Sequence, residues 1–72
     1  MKMNQHERIL DYIDRFGSIT PMEAFMDLGI TKLSTRIGEI CRAGHRIERK
    51  VEFAENRYGQ KVHYMRYKRV KA

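Results

Sequence analysis

Apolar residues recur at helical spacing through the first half of this chain and at alternate positions later on. Ile9, Ile13 and Phe16 mark one helical stripe flanked by Leu10 and Tyr12, with Glu7, Arg8, Asp11, Asp14 and Arg15 on the opposite face. Asn4 followed by Glu7 is a capping-box pattern, and Gly17 stands where a left-handed residue ends a helix. The spacing predicts a first helix over about 5–16.

Ser18-Ile19 reads as a very short strand, one residue of which pairs elsewhere. Thr20 then caps a second helix over about 21–27, with Pro21 in the first helical position and Glu23 completing the box. Met22, Phe25 and Met26 are expected on its inner face, and Ala24 permits a close approach to a neighbour. Asp27-Leu28-Gly29 ends it, and Gly29 can take the positive φ of a sharp turn.

Thr31 is expected to cap a third helix over about 32–43. Leu33, Ile37, Ile40 and Cys41 share one side at i, i+4, i+7 and i+8. Steps of about 100° put Thr31, Lys32, Thr35, Gly38, Glu39 and Arg42 on the far side, with Ser34 and Arg36 on the flanks. Gly44 is the natural stop.

From Arg46 the period changes to two. Ile47, Val51 and Phe53 alternate with Arg46, Glu48, Lys50 and Glu52, which reads as a strand although Arg49 interrupts the apolar set. Ala54 to Gln60 is polar with Asn56 and Gly59, a loop signal. A second strand follows from Lys61 to Lys68, with bulky residues (Val62, Tyr64, Met65 and Tyr67) on both faces, so either face is a candidate for burial. Tyr64, Met65 and Tyr67 are expected in the core or on a partner surface, and the tail 69–72 is expected to fray.

Seventy-two residues predict a single small domain, 1–72, with a thin core and little room for an enclosed substrate cavity. No Ser-His-Asp, Cys-His or paired-carboxylate constellation and no Gly-rich phosphate loop stands out, so an enzyme is not expected. Cys41-x-x-x-His45, with His6 and His63 elsewhere, falls short of the four ligands of structural zinc; neither metal nor cofactor is expected. One cysteine precludes an internal disulfide and fits a reducing cytoplasm. No apolar run approaches the roughly 20 residues of a membrane span, and the polar start Met1-Lys2-Met3-Asn4-Gln5-His6 lacks signal-peptide character.

Charge sharpens the picture. The net charge is +6, but residues 1–30 carry three basic and five acidic side chains while residues 31–72 carry twelve and four. The balance is −2 in the first part and +8 in the second, so one half is electropositive and suits a polyanion such as nucleic acid. A membrane surface fits less well, because the basic half lacks an amphipathic helix with a wide apolar face.

Two short helices joined by a Gly-containing turn, the second presenting Lys32, Ser34, Thr35 and Arg36, followed by a hairpin, resemble a winged helix-turn-helix domain. The likeness is carried by Glu7-Arg8-Ile9-Leu10, Gly17 through Ala24, Leu28-Gly29-Ile30, Leu33 through Ile37 and Gly44-His45-Arg46-Ile47. It spans roughly residues 5–68 and is similar in particular to small domains encoded by bacteriophages and prophages. The resemblance implies an α+β fold, three helices then a β-hairpin wing, with a recognition helix (Thr31–Ala43) in the major groove of duplex DNA and a wing (Arg46–Lys68) beside it. Lys32, Thr35 and Arg36 are the leading candidates for base contact, with Thr31, Ser34 and Arg42 on the same helix. Glu39 lies on that face too, where it accepts from a cytosine amino group or repels phosphate. Thr20 and Thr31 offer hydroxyls and helix-terminal amides to phosphates. Arg42, Arg46, Arg49, Lys50, Arg57 and Lys61 suit phosphate contact, with Tyr58 and Gln60 at the wing tip; Tyr58 either stacks, reaches a phosphate or packs back on the hairpin.

The expected function is double-stranded DNA binding as a small phage or prophage transcription regulator or accessory factor that acts by site occupancy in a bacterial cytoplasm. A monomer covers a short site, which points to a dimer or cooperative array. The competing reading is a protein-interaction module that binds or inhibits a host protein, using the methionines and the last strand as its surface. RNA ranks behind both, because exposed aromatic pairs on a sheet are not evident.

Overall fold

A computed structural model describes residues 3–70. Both expected capping boxes form. Asn4 Oδ1 accepts from the Glu7 N–H at 2.8 Å while Glu7 Oε1 accepts from the Asn4 N–H at 3.1 Å, and this opens α1 (Gln5–Phe16). Gly17 ends α1 in the left-handed region, φ 89°, donating to the Ile13 carbonyl. Thr20 and Glu23 repeat the reciprocal arrangement at 3.2 and 2.9 Å to open α2 (Pro21–Glu23).

The second helix then widens into a π-helical turn over Ala24–Leu28, closed by Gly29 at φ 69°. Its phase differs from expectation. Met22, Phe25 and Met26 are 70, 55 and 69% exposed, whereas Ala24 is fully buried and Leu28 packs against the core. The reason is that buried Thr20 sets the entering direction of the chain, and positions 20, 24 and 28 then lie along the inner side. The small Ala24 lets the helix backbone itself approach the core, so the long side chains turn outward.

The third helix, α3 (Leu33–Arg42), also starts differently. Lys32 is the capping position, with φ −119° and ψ 59°, and no side chain caps the helix; Thr31 sits one residue too early to do so. Leu33, Ile37 and Ile40 are buried, and Cys41 packs at their edge. They join Ile9, Tyr12, Ile13, Ile19, Ala24, Ile30 and Tyr67 in the core. Burial of a side chain such as Ile9, Ile19, Ile37 or Ile40 contributes roughly 1.5–3 kcal/mol. Phe16, expected on the core stripe, is 68% exposed: it is the last residue of α1, beyond the core's edge, and tilts against Tyr12 with 4.6 Å between ring centroids.

β1 (Ile47–Glu55) and β2 (Lys61–Arg69) pair antiparallel from Ile47↔Arg69 to Glu55↔Lys61. The expected pairing of the short segment after α1 occurs as a bridge between Ile19 and Tyr67, with both backbone bonds at 2.9 Å, which ties the root of the hairpin to the helices. Only that root is covered. Tyr67 is buried and Ile47 and Met65 pack on the core, whereas Val51 and Phe53, on the same face, are 46 and 73% exposed. The nine-residue strands reach past what three short helices can cover, and the molecule measures 42 × 28 × 21 Å.

Arg69, expected in a frayed tail, is the last residue of β2 and donates to both carboxylate oxygens of Asp14 at 2.9 and 3.1 Å. Lys71 and Ala72 of that tail, and Met1 and Lys2 of the polar start, lie outside the described residues. Three helices leading into an antiparallel hairpin make the α+β arrangement expected of the sequence.

Candidate nucleic-acid interface

The amphipathic period of α3 decides what it offers to solvent. With Leu33, Ile37 and Ile40 inward, Thr35 and Arg42 point away from the core and are exposed, as are Ser34 on one flank and Thr31 and Lys32 just ahead of the helix. Gly38 and Glu39 complete the outward face and are half-buried. Because no side chain caps α3, its first-turn N–H groups keep the partial positive charge of a helix start.

Arg36 and Glu39 occupy the flank nearest α1. Arg36 Nη1 donates to Glu39 Oε1 at 2.7 Å, and His6 Nε2 lies 2.7 Å from the same oxygen. The hydrogen bond to His6, with the Arg36 guanidinium beside it, holds the Glu39 carboxyl below the usual carboxylate range. Glu39 is therefore not a bare anion on the outward face: its charge is matched by Arg36, and Arg36 in turn is partly committed before any ligand arrives.

Thr20 falls outside this surface. It is 5% exposed and its hydroxyl accepts from the Glu23 N–H, so the capping role consumes it.

The pleat sorts the hairpin's cations. Side chains of directly paired residues share a face, which puts Arg49 and Lys61 on the face that also carries Tyr67, and Lys50 on the other. All three are exposed, as are Arg46 ahead of β1 and Arg57 in the loop. Arg46 is positioned by its carbonyl, which accepts from the Val70 N–H at 3.0 Å. Asn56 organises the loop: its Oδ1 accepts from the N–H groups of Tyr58 (2.9 Å) and Gln60 (3.0 Å), and its amide donates to Gln60 Oε1 at 3.1 Å. The tip is thus a shaped turn. It carries Tyr58 88% exposed, so this ring does not pack back on the hairpin.

Two features escaped the sequence reading. One is His6 as the partner of Glu39, a pair 33 positions apart. The other is Arg66, whose Nε donates to Glu52 at 2.7 Å and whose Nη1 donates to Ser18 Oγ at 2.8 Å, with Glu23 3.8 Å away. Glu52 and Arg66 stabilise each other's charged forms, Glu52 pushed down and Arg66 up. Arg66 is consequently a brace between hairpin and α2 rather than a free cation. Only the strand register places Glu52 diagonal to it, and alternation alone does not specify register.

Among the described residues no group of three or more His, Cys, Asp or Glu is arranged to hold a metal ion, and no helix is long and apolar enough to cross a membrane. Comparison with curated proteins and with solved structures returned no match. A family model described as a winged helix-turn-helix domain matches residues 4–69. With that match over most of its length, and with three helices running into an antiparallel hairpin, this chain belongs to the winged helix-turn-helix family.

Proposed function

We propose that the chain is a double-stranded DNA-binding protein that lays α3 in the major groove with the hairpin alongside. Winged helix-turn-helix domains are in general DNA-binding modules rather than enzymes. The single observation that carries the reading is the outward face of α3: Thr35 and Arg42, with Lys32 and Thr31 ahead, are solvent-exposed on a helix whose other side is wholly core. Lys32, Ser34, Thr35 and Arg42 meet base edges or flanking phosphates. Arg36 and Glu39 act as a coupled pair at the margin. Arg46, Arg49, Lys50, Arg57, Tyr58, Gln60 and Lys61 supply backbone contacts, with opposite faces of the hairpin serving different phosphates.

Nothing in this arrangement requires a reaction. Its effect would be occupancy: a small regulator or accessory factor of the phage or prophage type, blocking or recruiting other proteins at a site on bacterial DNA, as a dimer or cooperative array where one α3 covers too short a site. The test is a mobility shift on duplex DNA comparing the parent with a Thr35→Ala/Arg42→Ala double variant. We expect the variant to bind roughly tenfold more weakly. Equal binding by the two removes α3 from the interface.

A second reading, a winged helix that binds or inhibits a host protein, is favoured by one observation. Met22, Phe25 and Met26 form an exposed apolar stripe at i, i+3 and i+4 in the acidic half of the chain. Recovery of a protein partner through this stripe, together with no affinity for DNA at low salt, selects that reading over the first.

A further inference from the structure

Gly38 sits in the middle of α3 on its outward face, one turn from Ser34, Thr35 and Arg42. Glycine is the poorest helix former after proline, and a helix interior carries it at a cost in stability. The usual reasons for accepting that cost are missing here. Among the described residues positive φ is confined to Gly17, Gly29, Gly44 and Gly59, so Gly38 has the right-handed backbone that any residue adopts. A Cβ placed on it would lie more than 4 Å from every side chain other than those of its chain neighbours Ile37 and Glu39, and from all backbone beyond its own stretch of helix. The folded chain therefore has both the conformation and the space for a larger residue at this position. Its flank is also clear of the Arg36–Glu39–His6 cluster, which occupies the other side of the helix.

We infer that Gly38 is the point of closest approach between α3 and bound duplex DNA, its missing side chain letting the helix backbone meet the groove directly. This rests on the DNA-binding reading above and adds a residue that makes no polar contact of its own. A helix on the major groove is wedged between two phosphate ridges, and its depth is limited by whichever side chain touches first. With glycine between Thr35 and Arg42, the helix seats deeper by about the thickness of a methyl group. Short side chains such as Ser34 and Thr35 then reach base edges that a shallower helix would leave to water. The specificity is steric, set by what is absent.

The physical signature is an opposition of signs. Gly38→Ala removes a helix penalty and meets open space, so it raises the melting midpoint of the free protein, by several degrees. The same methyl holds the helix off the duplex, so affinity falls roughly tenfold, and falls further for Gly38→Leu. Melting of parent and variants is measured first, without DNA. Binding is then measured by fluorescence anisotropy on a labelled pool of random-sequence duplexes at about 50 mM salt. A variant that melts higher and binds more weakly is the expected result. An Ala variant that melts higher and binds as tightly as the parent overturns the role of Gly38 while leaving DNA binding intact. One that melts lower overturns it as well, by showing that the fold itself needs the glycine. A parent chain that fails to bind any duplex overturns the functional reading, and the inference with it.

Discussion

Glu39 holds Arg36 across one turn of α3, Nη1 to Oε1 at 2.7 Å, and so shares a cation that the helix would otherwise present to a polyanion. A phosphate approaching this flank competes with Glu39 for the guanidinium. Glu39→Gln removes the competitor and the nearby negative charge. DNA affinity is expected to rise two- to fivefold, roughly the scale of a half-exposed ion pair. A binding isotherm for the variant beside the parent reads this directly, and unchanged or lower affinity would place Arg36 outside the bound interface.

The same carboxylate gives stability an acid limb. Glu39 titrates below its ordinary value because His6 and Arg36 favour its charged form, and Glu52 does so because of Arg66. With folded values depressed, the stabilisation is complete above the unfolded carboxylate value of about 4.3 and drains away as pH falls through the lower folded values. Denaturation midpoints measured at stepped pH should therefore fall on the acid side as these two carboxylates protonate. Glu52→Gln, which takes the anion from the Arg66 brace, should flatten that limb and lower stability at neutral pH.

Tyr12 shows the opposite sign. Its hydroxyl donates to Asp27 Oδ2 at 2.6 Å; this bond and burial push the phenol up to about 12. A raised folded value favours the neutral phenol, so its contribution is present below the unfolded value of about 10 and is lost as pH rises through 12. Tyr12→Phe should cost about 1 kcal/mol at neutral pH and weaken the link between α1 and the π-helical turn. Chemical denaturation of the pair of proteins measures it, and a neutral result would mean that water replaces the tyrosine without loss.

Stability and exposure should separate cleanly along the second helix. Ala24 is fully buried, so Ala24→Leu must displace core neighbours and is expected to cost about 1–3 kcal/mol. Met22→Gln and Met26→Gln, at residues 70 and 69% exposed, should stay within about 0.5 kcal/mol of the parent. A large loss from either methionine would put it in the core after all.

That contrast marks where the sequence was legible. Helix starts at Asn4 and Thr20, and helix ends at Gly17 and Gly29, depend on atoms within a few residues of one another, and the chain spells them out. That one residue of Ser18-Ile19 pairs elsewhere was readable from the short extended segment between a helix end and a cap, whereas its partner, Tyr67, lies 48 positions from Ile19 and is set by the tertiary fold. The phase of the second helix was not readable: two stripes, Met22-Phe25-Met26 and Thr20-Ala24-Leu28, fit the period, and the longer side chains favour the wrong one. Thr31 looked like a cap because its residue type suits the role, but the backbone turns helical only after Lys32. For the interface, the outward placement of Thr35 and Arg42 followed from the period of α3. The pairing of Arg36 with Glu39 and His6, and the placement of Lys61 on the same face as Arg49, depend on how α1 and α3 meet and on the strand register, which no local pattern encodes.

The most direct measurement is the affinity for duplex DNA as a function of salt. If about five phosphates are neutralised by α3 and the hairpin, log affinity should fall against log salt with a slope near −4 to −5, and removing one contact, as in Lys61→Ala, should reduce the slope by about 1. Affinity that does not change with salt, or no duplex binding even at low salt, contradicts a cationic helix-and-hairpin surface built to hold DNA.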